Sequence, residues 1–146
     1  MDEHLFNKFP AILKDALIAN KISFPDDIII TFDPIWAYRV VPKRANYKFC
    51  IDDFQSQIEV NYYRNCRALK GIDDKDIKKY SCSLFTEIRK LENIMHMPRK
   101  NKIIIEGNVT CENGIIQYDP VTTHIHWWLY ENRNIINDFK VIINEN

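Results

Sequence analysis

The chain has 146 residues, and its charged residues divide into 20 acidic and 20 basic ones, so the formal net charge is zero. Hydrophobic residues make up 46% and aromatic residues 12%, which is enough for a core and excludes general disorder. The neutral balance excludes a global attraction to nucleic acid or to anionic membranes, and it favours self-association. We therefore predict one soluble domain over residues 1–146, without a membrane span.

The cysteines and the N-terminal residues indicate a cytoplasmic protein. The four cysteines form no CxxC pairing, and the first ten residues lack the apolar run of a signal peptide. This pattern favours reduced thiols over a disulfide or zinc framework.

The first predicted element is a helix from about Phe9 to Ala19, whose apolar residues recur at helical spacing. Four short runs rich in β-branched and aromatic residues follow and predict strands: Ile28–Phe32, Trp36–Val41, Tyr47–Ile51 and Ile58–Tyr63. The connections between these runs are too short for crossover helices, so we expect an antiparallel meander.

A second, longer helix is predicted from about Asp73 to a point before Pro98. Asp73 is a suitable N-terminal cap, and the apolar residues recur every three or four positions, at Ile77, Tyr80, Leu84, Ile88, Leu91 and Met95. This is the strongest periodic pattern in the chain.

A β-hairpin is predicted at Asn113-Gly114, the dipeptide that most favours a tight two-residue turn. The register would pair Val109 with Tyr118, and Gly107 indicates a bulge upstream. A further strand from Thr123 to Tyr130 follows, and the pattern of residues 134–146 fits either a helix or an edge strand. Together the elements predict an α+β fold. It consists of an antiparallel sheet of about six or seven strands packed by two or three helices. The N-terminal meander and the C-terminal hairpin and strand together form this sheet.

The strand from Thr123 to Tyr130 carries the main candidate for chemistry, the pair His124 and His126. Two residues apart in a strand, they lie on the same face about 6.6 Å from each other, so both imidazoles can reach one divalent metal ion. A catalytic metal usually takes three protein ligands, and the candidates for the third are His96, Asp119 and Glu106. Apart from this possible metal, no cofactor is expected.

The same strand is also a candidate contact surface, because Trp128 and Tyr130 share the histidine face. Exposed aromatic and arginine side chains are typical anchors of protein interfaces, and Tyr63 and Arg99 complete the predicted binding set. The alternative is that other elements cover this strand on both faces.

The sequence contains no glycine-rich phosphate loop and no complete catalytic motif. We therefore predict a non-catalytic protein-binding module, such as a small inhibitor or immunity-type protein, whose partner is another protein or a second copy. Two alternatives stay open. The first is a metal-binding or hydrolytic enzyme that uses His124 and His126, and the second is a homo-oligomeric structural subunit. Nucleic acid and membranes are not expected as partners.

Overall fold

The computed structural model describes residues 3–64, 71–96 and 101–142, apart from the side chains of residues 64 and 93–96. The described α-helices are Glu3–Phe6 (α1), Ala11–Ile18 (α2), Gln57–Arg64 (α3) and Arg89–His96 (α4). The strands are Ile35–Pro42 (β1), Cys82–Phe85 (β2), Lys102–Val109 (β3), Gly114–Asp119 (β4), His124–Leu129 (β5) and Phe139–Ile142 (β6). None of the helices in these ranges has the length and apolar character needed to cross a bilayer.

The six strands form one antiparallel sheet in the order β4-β5-β2-β1-β3-β6. This sheet and its packed helices confirm the predicted α+β class. The predicted meander is wrong, because β1 lies between β2 and β3 rather than beside strands from the first 63 residues.

The sheet is strongly curled. The strands β3 and β4 are separated by four inter-strand spacings in the sheet order, which a flat sheet would make roughly 19 Å. The chain from Val109 to Gly114 spans at most about 17 Å when fully extended, and here it contains a turn in which Asn113 N–H donates to the Thr110 carbonyl. The far strands therefore approach each other at this end, and one apolar cluster receives side chains from all six strands.

The opposite face of the sheet carries a second apolar cluster, in which α2 covers the end of β5. Leu13 of α2 and Phe9, which precedes it, pack there with Trp128 and Tyr130. Trp127 points into the first cluster, so the adjacent tryptophans are buried on opposite faces. The predicted helix from Phe9 to Ala19 is confirmed over Ala11–Ile18.

Three of the four early strand predictions are wrong, and only the one at β1 is confirmed. Ile58–Tyr63 belongs to α3, which begins with a capping box in which Ser56 and Glu59 bond each other's backbone N–H groups. Tyr47–Ile51 runs between two 3-10 turns, Ala45–Tyr47 and Ile51–Phe54. The run Ile28–Phe32 makes only an isolated bridge from Ile29 to Ile116 at the edge of β4.

The predicted long helix from Asp73 is also wrong. The segment consists of a 3-10 turn at Ile77–Tyr80, the strand β2 at Cys82–Phe85 and the short helix α4. Tertiary pairing overrides the helical spacing here, because β2 occupies the space between β5 and β1 in the middle of the sheet.

The predicted hairpin is wrong in its pairing, although both of its strands exist. Gly114 pairs with Leu129 of β5, and β3 pairs with β1 and β6. No bulge occurs at Gly107, since the register of β3 with β1 is continuous through it. The tail forms the edge strand β6 up to Ile142, while residues 143–146 lie outside the described residues.

Candidate functional site

Three neighbouring strands place polar side chains side by side on the outer face of the sheet. In β2 and β5 the intervening residues Leu84 and Ile125 point into the first apolar cluster. Two rows run across β2, β5 and β4 in register: Ser83, His126 and Gln117 in one, and Phe85, His124 and Asp119 in the other. The alternation of a pleated strand thus gathers both histidines with serine, glutamine and aspartate side chains.

Ser81 determines how the imidazole of His126 is oriented. The Oγ of Ser81 lies 2.7 Å from the carbonyl oxygen of Lys78, which can only accept, so the single hydroxyl proton is donated there. The Nδ1 of His126 lies 2.8 Å from the same Oγ, and it must therefore carry the proton of that second hydrogen bond. This tautomer leaves the lone pair of His126 on Nε2.

His124 is held by contacts on two sides. Its Nε2 is hydrogen-bonded to the Oγ of Ser83, and its ring stacks on Phe85 with the centroids 4.6 Å apart. The rings of His124 and His126 contact each other with centroids 4.1 Å apart. The two imidazoles therefore form one ordered pair.

Thr123, which directly precedes this pair, has a strained backbone. It is β-branched and 93% buried, yet it adopts a left-handed conformation with φ 61°. Its carbonyl oxygen accepts a hydrogen bond from the N–H of Thr86 at 2.9 Å. This bond ties the start of β5 to the end of β2, and it places His124 at the first position of the strand.

The histidine pair lies between two clefts of opposite charge. One cleft, of about 320 Å³, is lined, in the part of the chain that the structure describes, only by polar side chains: Ser81, Ser83, His124 and His126 from the sheet region, and Arg39, Gln55, Gln57, Asp76, Lys78 and Lys79 around them. We name it the basic cleft, because it has three basic residues and one acidic residue. The other, of about 390 Å³, is the acidic cleft, in which Asp27 and Asp119 face Lys78.

Both imidazoles are neutral at physiological pH. Burial, then the adjacent His124, then Lys78 lower the pKa of His126 to about 4. Burial and Lys78 also lower the pKa of His124, against the opposing charge of Asp119. The pair therefore acts as uncharged hydrogen-bonding groups in a positive local field.

Arg39 stabilises the opening between β1 and β2 on one side of the basic cleft. The two strands pair at Tyr38 and Phe85 alone and then separate. The side chain of Arg39, the next residue of β1, lies in the opening between them. Its guanidinium donates to the carbonyl oxygens of Ser83 at 2.6 Å and Asp53 at 2.9 Å. Arg39 thus contributes positive charge to the cleft, and three of its five N–H donors are directed at backbone carbonyls.

The structure separates the predicted binding residues from one another. Trp128 is fully buried and donates its indole N–H to the Ile77 carbonyl, and Tyr130 is 93% buried. The second half of β5 is therefore covered on both faces, which was the alternative to an exposed contact surface. Tyr63 is 62% exposed on α3 but does not line either cleft, and Arg99 lies outside the described residues.

A third metal ligand is not found in the part of the chain that the structure describes. No group of three His, Cys, Asp or Glu side chains there has the geometry to hold a metal ion. Asp119 lies beside His124, whereas Glu106 lies on β3 and pairs with Lys140 at 3.7 Å. The side chain of His96 lies outside the described residues.

Sequence reasoning missed Ser81, Ser83 and Lys78, which surround the histidine pair. The signal for the two serines was the polar–apolar alternation at the start of residues 81–85, which indicates a strand. The apolar residues on either side of this short run recur at helical spacing, and that longer pattern led to the helix prediction.

Comparison with known proteins gives no family assignment. No protein-family model matches the chain, and no curated protein and no solved structure is significantly similar to it.

Proposed function

We propose that this protein is a non-catalytic binding protein that holds a small polar ligand in the basic cleft. The observation that carries the proposal is the lining of this cleft: ten polar side chains, among them two imidazoles held in place by Ser81 and Ser83. The volume of the cleft lies at the lower end of the range of small-ligand sites, and its polar lining suits a polar rather than an apolar ligand. The partner protein predicted from the sequence is the alternative to a small ligand.

The protonation state of the histidines favours binding over acid–base catalysis. A general base works best when its pKa is near the operating pH, and the pKa of His126 is about 4. A neutral imidazole with a fixed tautomer is instead a good hydrogen-bond acceptor for a ligand hydroxyl or amino group.

The test is a thermal-shift screen of small polar compounds against the protein and two variants at Gln57. Gln57 is exposed at the first position of α3 and lines the basic cleft. Gln57→Trp places a bulky ring in the cleft, and Gln57→Ala is the matched control that leaves it open. We expect at least one compound class to raise the melting temperature of the protein and of Gln57→Ala, but not of Gln57→Trp, and to be recovered chemically unchanged.

Two results would contradict this proposal. One is a screen in which the bulky variant responds as the alanine variant does, because the ligand would then lie elsewhere. The other is conversion of the bound compound to a product, which would make the protein an enzyme.

The second candidate function is hydrolysis, and the contact between Ser83 and His124 favours it. A serine hydroxyl bonded to an imidazole is the core of an activated nucleophile, and Asp119 lies opposite His124 in the adjacent strand. A fluorophosphonate probe that labels such serines tests this directly. Labelling of Ser83 that is lost in Ser83→Ala and kept in Ser81→Ala would favour the enzyme, and an unlabelled protein would exclude Ser83 as an activated nucleophile.

A further inference from the structure

We infer that the ligand of the basic cleft carries a phosphate group, which Lys78 and Lys79 bind next to the histidine pair. This inference rests on the proposed binding function and names the chemical class of the ligand.

The distribution of charge in the basic cleft favours an anion. In the described part of the chain, Arg39, Lys78 and Lys79 line it with Asp76 as the single acidic residue, although the whole chain has no net charge and Lys78 also faces Asp27 and Asp119 of the acidic cleft. The local excess of two positive charges matches a phosphate dianion better than a singly charged carboxylate. The cleft is therefore a local departure from the neutral surface of the chain.

The two lysines offer the amino groups that the anion would contact. Three of the five Arg39 N–H groups are directed at backbone carbonyls, so Arg39 contributes mainly its charge to the cleft. Among the described residues, Lys78 and Lys79 have no ion-pair partner, and one oxygen of the Asp76 carboxylate accepts from the backbone N–H of Lys78 at 3.0 Å. Lysine binds phosphate as a mobile point charge, which suits these exposed and half-buried positions.

The cleft also has room and an unused acceptor for the organic part of a phosphorylated ligand. His126 lines it, and the hydrogen bond of its Nδ1–H to Ser81 leaves the lone pair on Nε2 as an acceptor. A ligand hydroxyl next to the phosphate can donate to that lone pair. The fitting class is a phosphate monoester of a hydroxylated small molecule.

The inference is tested by following backbone amide resonances of the protein during titration with four probes at constant ionic strength. The probes are inorganic phosphate, glycerol phosphate, glycerol and acetate. We expect the two phosphates to shift the resonances of Lys78, Ser83 and His126, with glycerol phosphate the tighter ligand. Acetate and glycerol should produce much smaller shifts.

Lysine variants localise the effect. Lys78→Met and Lys79→Met should each weaken phosphate binding by about fivefold or more, because each removes one charge contact. Lys75→Met is the matched control, since Lys75 is exposed on the same segment but does not line the cleft. If Lys75→Met weakens phosphate binding as much as the two cleft variants do, the inference is overturned. Phosphate would then respond to the overall charge of the protein rather than to the lysines of the cleft.

The outcomes separate this inference from the proposed function. If acetate or glycerol shifts the cleft resonances as strongly as phosphate does, the phosphate assignment fails and the binding function stands. If phosphate shifts nothing, the phosphate assignment fails, and the screen with the Gln57 variants decides the binding function independently.

Discussion

The Nδ1 atom of His126 lies 2.8 Å from the Oγ atom of Ser81, a residue 45 positions earlier in the chain. The hydroxyl of Ser81 donates in turn to the Lys78 carbonyl, so a chain of two hydrogen bonds connects the 3-10 turn at Ile77–Tyr80 to the centre of β5. The orientation of the imidazole is therefore set by the pairing of β2 with β5.

Replacing Ser81 with alanine should change the tautomer of His126. The Nδ1–H would lose its acceptor, and the proton would become free to move to Nε2. Long-range ¹H–¹⁵N correlation spectra of the imidazoles measure this directly, and the fold should lose about 1 kcal/mol of stability. Ser83→Ala is the control, because it should alter only the ring of His124. An unchanged His126 spectrum in Ser81→Ala would contradict the assigned proton.

Stability should decrease as the pH falls from 7 to 5. The pKa of His126 is about 4 in the folded protein against 6.5 for an unperturbed histidine, so the unfolded chain binds more protons below pH 6.5. The contribution of neutral His126 to the free energy of unfolding is fully present above pH 6.5 and is lost between pH 6.5 and about 4. The pKa of His124 is also lowered, so His124 acts in the same direction.

Because both rings are only partly buried, we expect a loss of about 1 kcal/mol between pH 7 and 5. Urea unfolding at each pH measures it. The control is His126→Gln, which keeps a polar side chain and should have a flatter profile. If the two profiles are equally steep, His126 is not the responsible group.

The ion pair of Arg44 and Asp53 should contribute far more to stability than the pair of Lys21 and Asp74. Asp53 is 94% buried and accepts from both Arg44 nitrogens and from the Cys50 N–H at 2.9 Å. Arg44→Met should cost about 3 kcal/mol, because it leaves a buried carboxylate without its partner. Lys21→Met is the exposed control, in which the pair lies at the surface. Denaturant unfolding should show a much smaller change there, and equal losses would contradict the comparison.

Gly107 should tolerate no side chain. A Cβ there would overlap the carbonyl oxygen of Asp138 and lie 2.7 Å from the Cγ of Phe139, where β6 pairs with β3. Gly107→Ala should therefore destabilise the fold by about 3 kcal/mol through overpacking. The control is Gly71→Ala, whose Cβ meets no atom of the described residues within 4 Å and which should cost about 1 kcal/mol because of its φ of 81°. Thermal melts of both variants test the ranking.

The predictions around Ile58 and Tyr80 are wrong for two different physical reasons. The run from Ile58 alternates like a strand, yet the capping box of Ser56 and Glu59 starts a helix there. The apolar residues around Tyr80 recur like a helix, yet residues 82–85 fill a gap in the centre of the sheet. Local periodicity was outweighed in both cases, once by a cap and once by a distant strand.

The sequence by itself determined the α+β class, the helix α2, the strand β1 and the placing of His124 and His126 on one face of β5. These features depend on composition and on residues only a few positions apart. The tertiary structure alone decided the strand order, the burial of Trp128 and Tyr130 and the gathering of Ser81, Ser83 and Lys78 around the histidines. Some of these pairings, such as that of Ser83 with His126, join residues more than forty positions apart, and no local pattern specifies which distant edge a strand will bind.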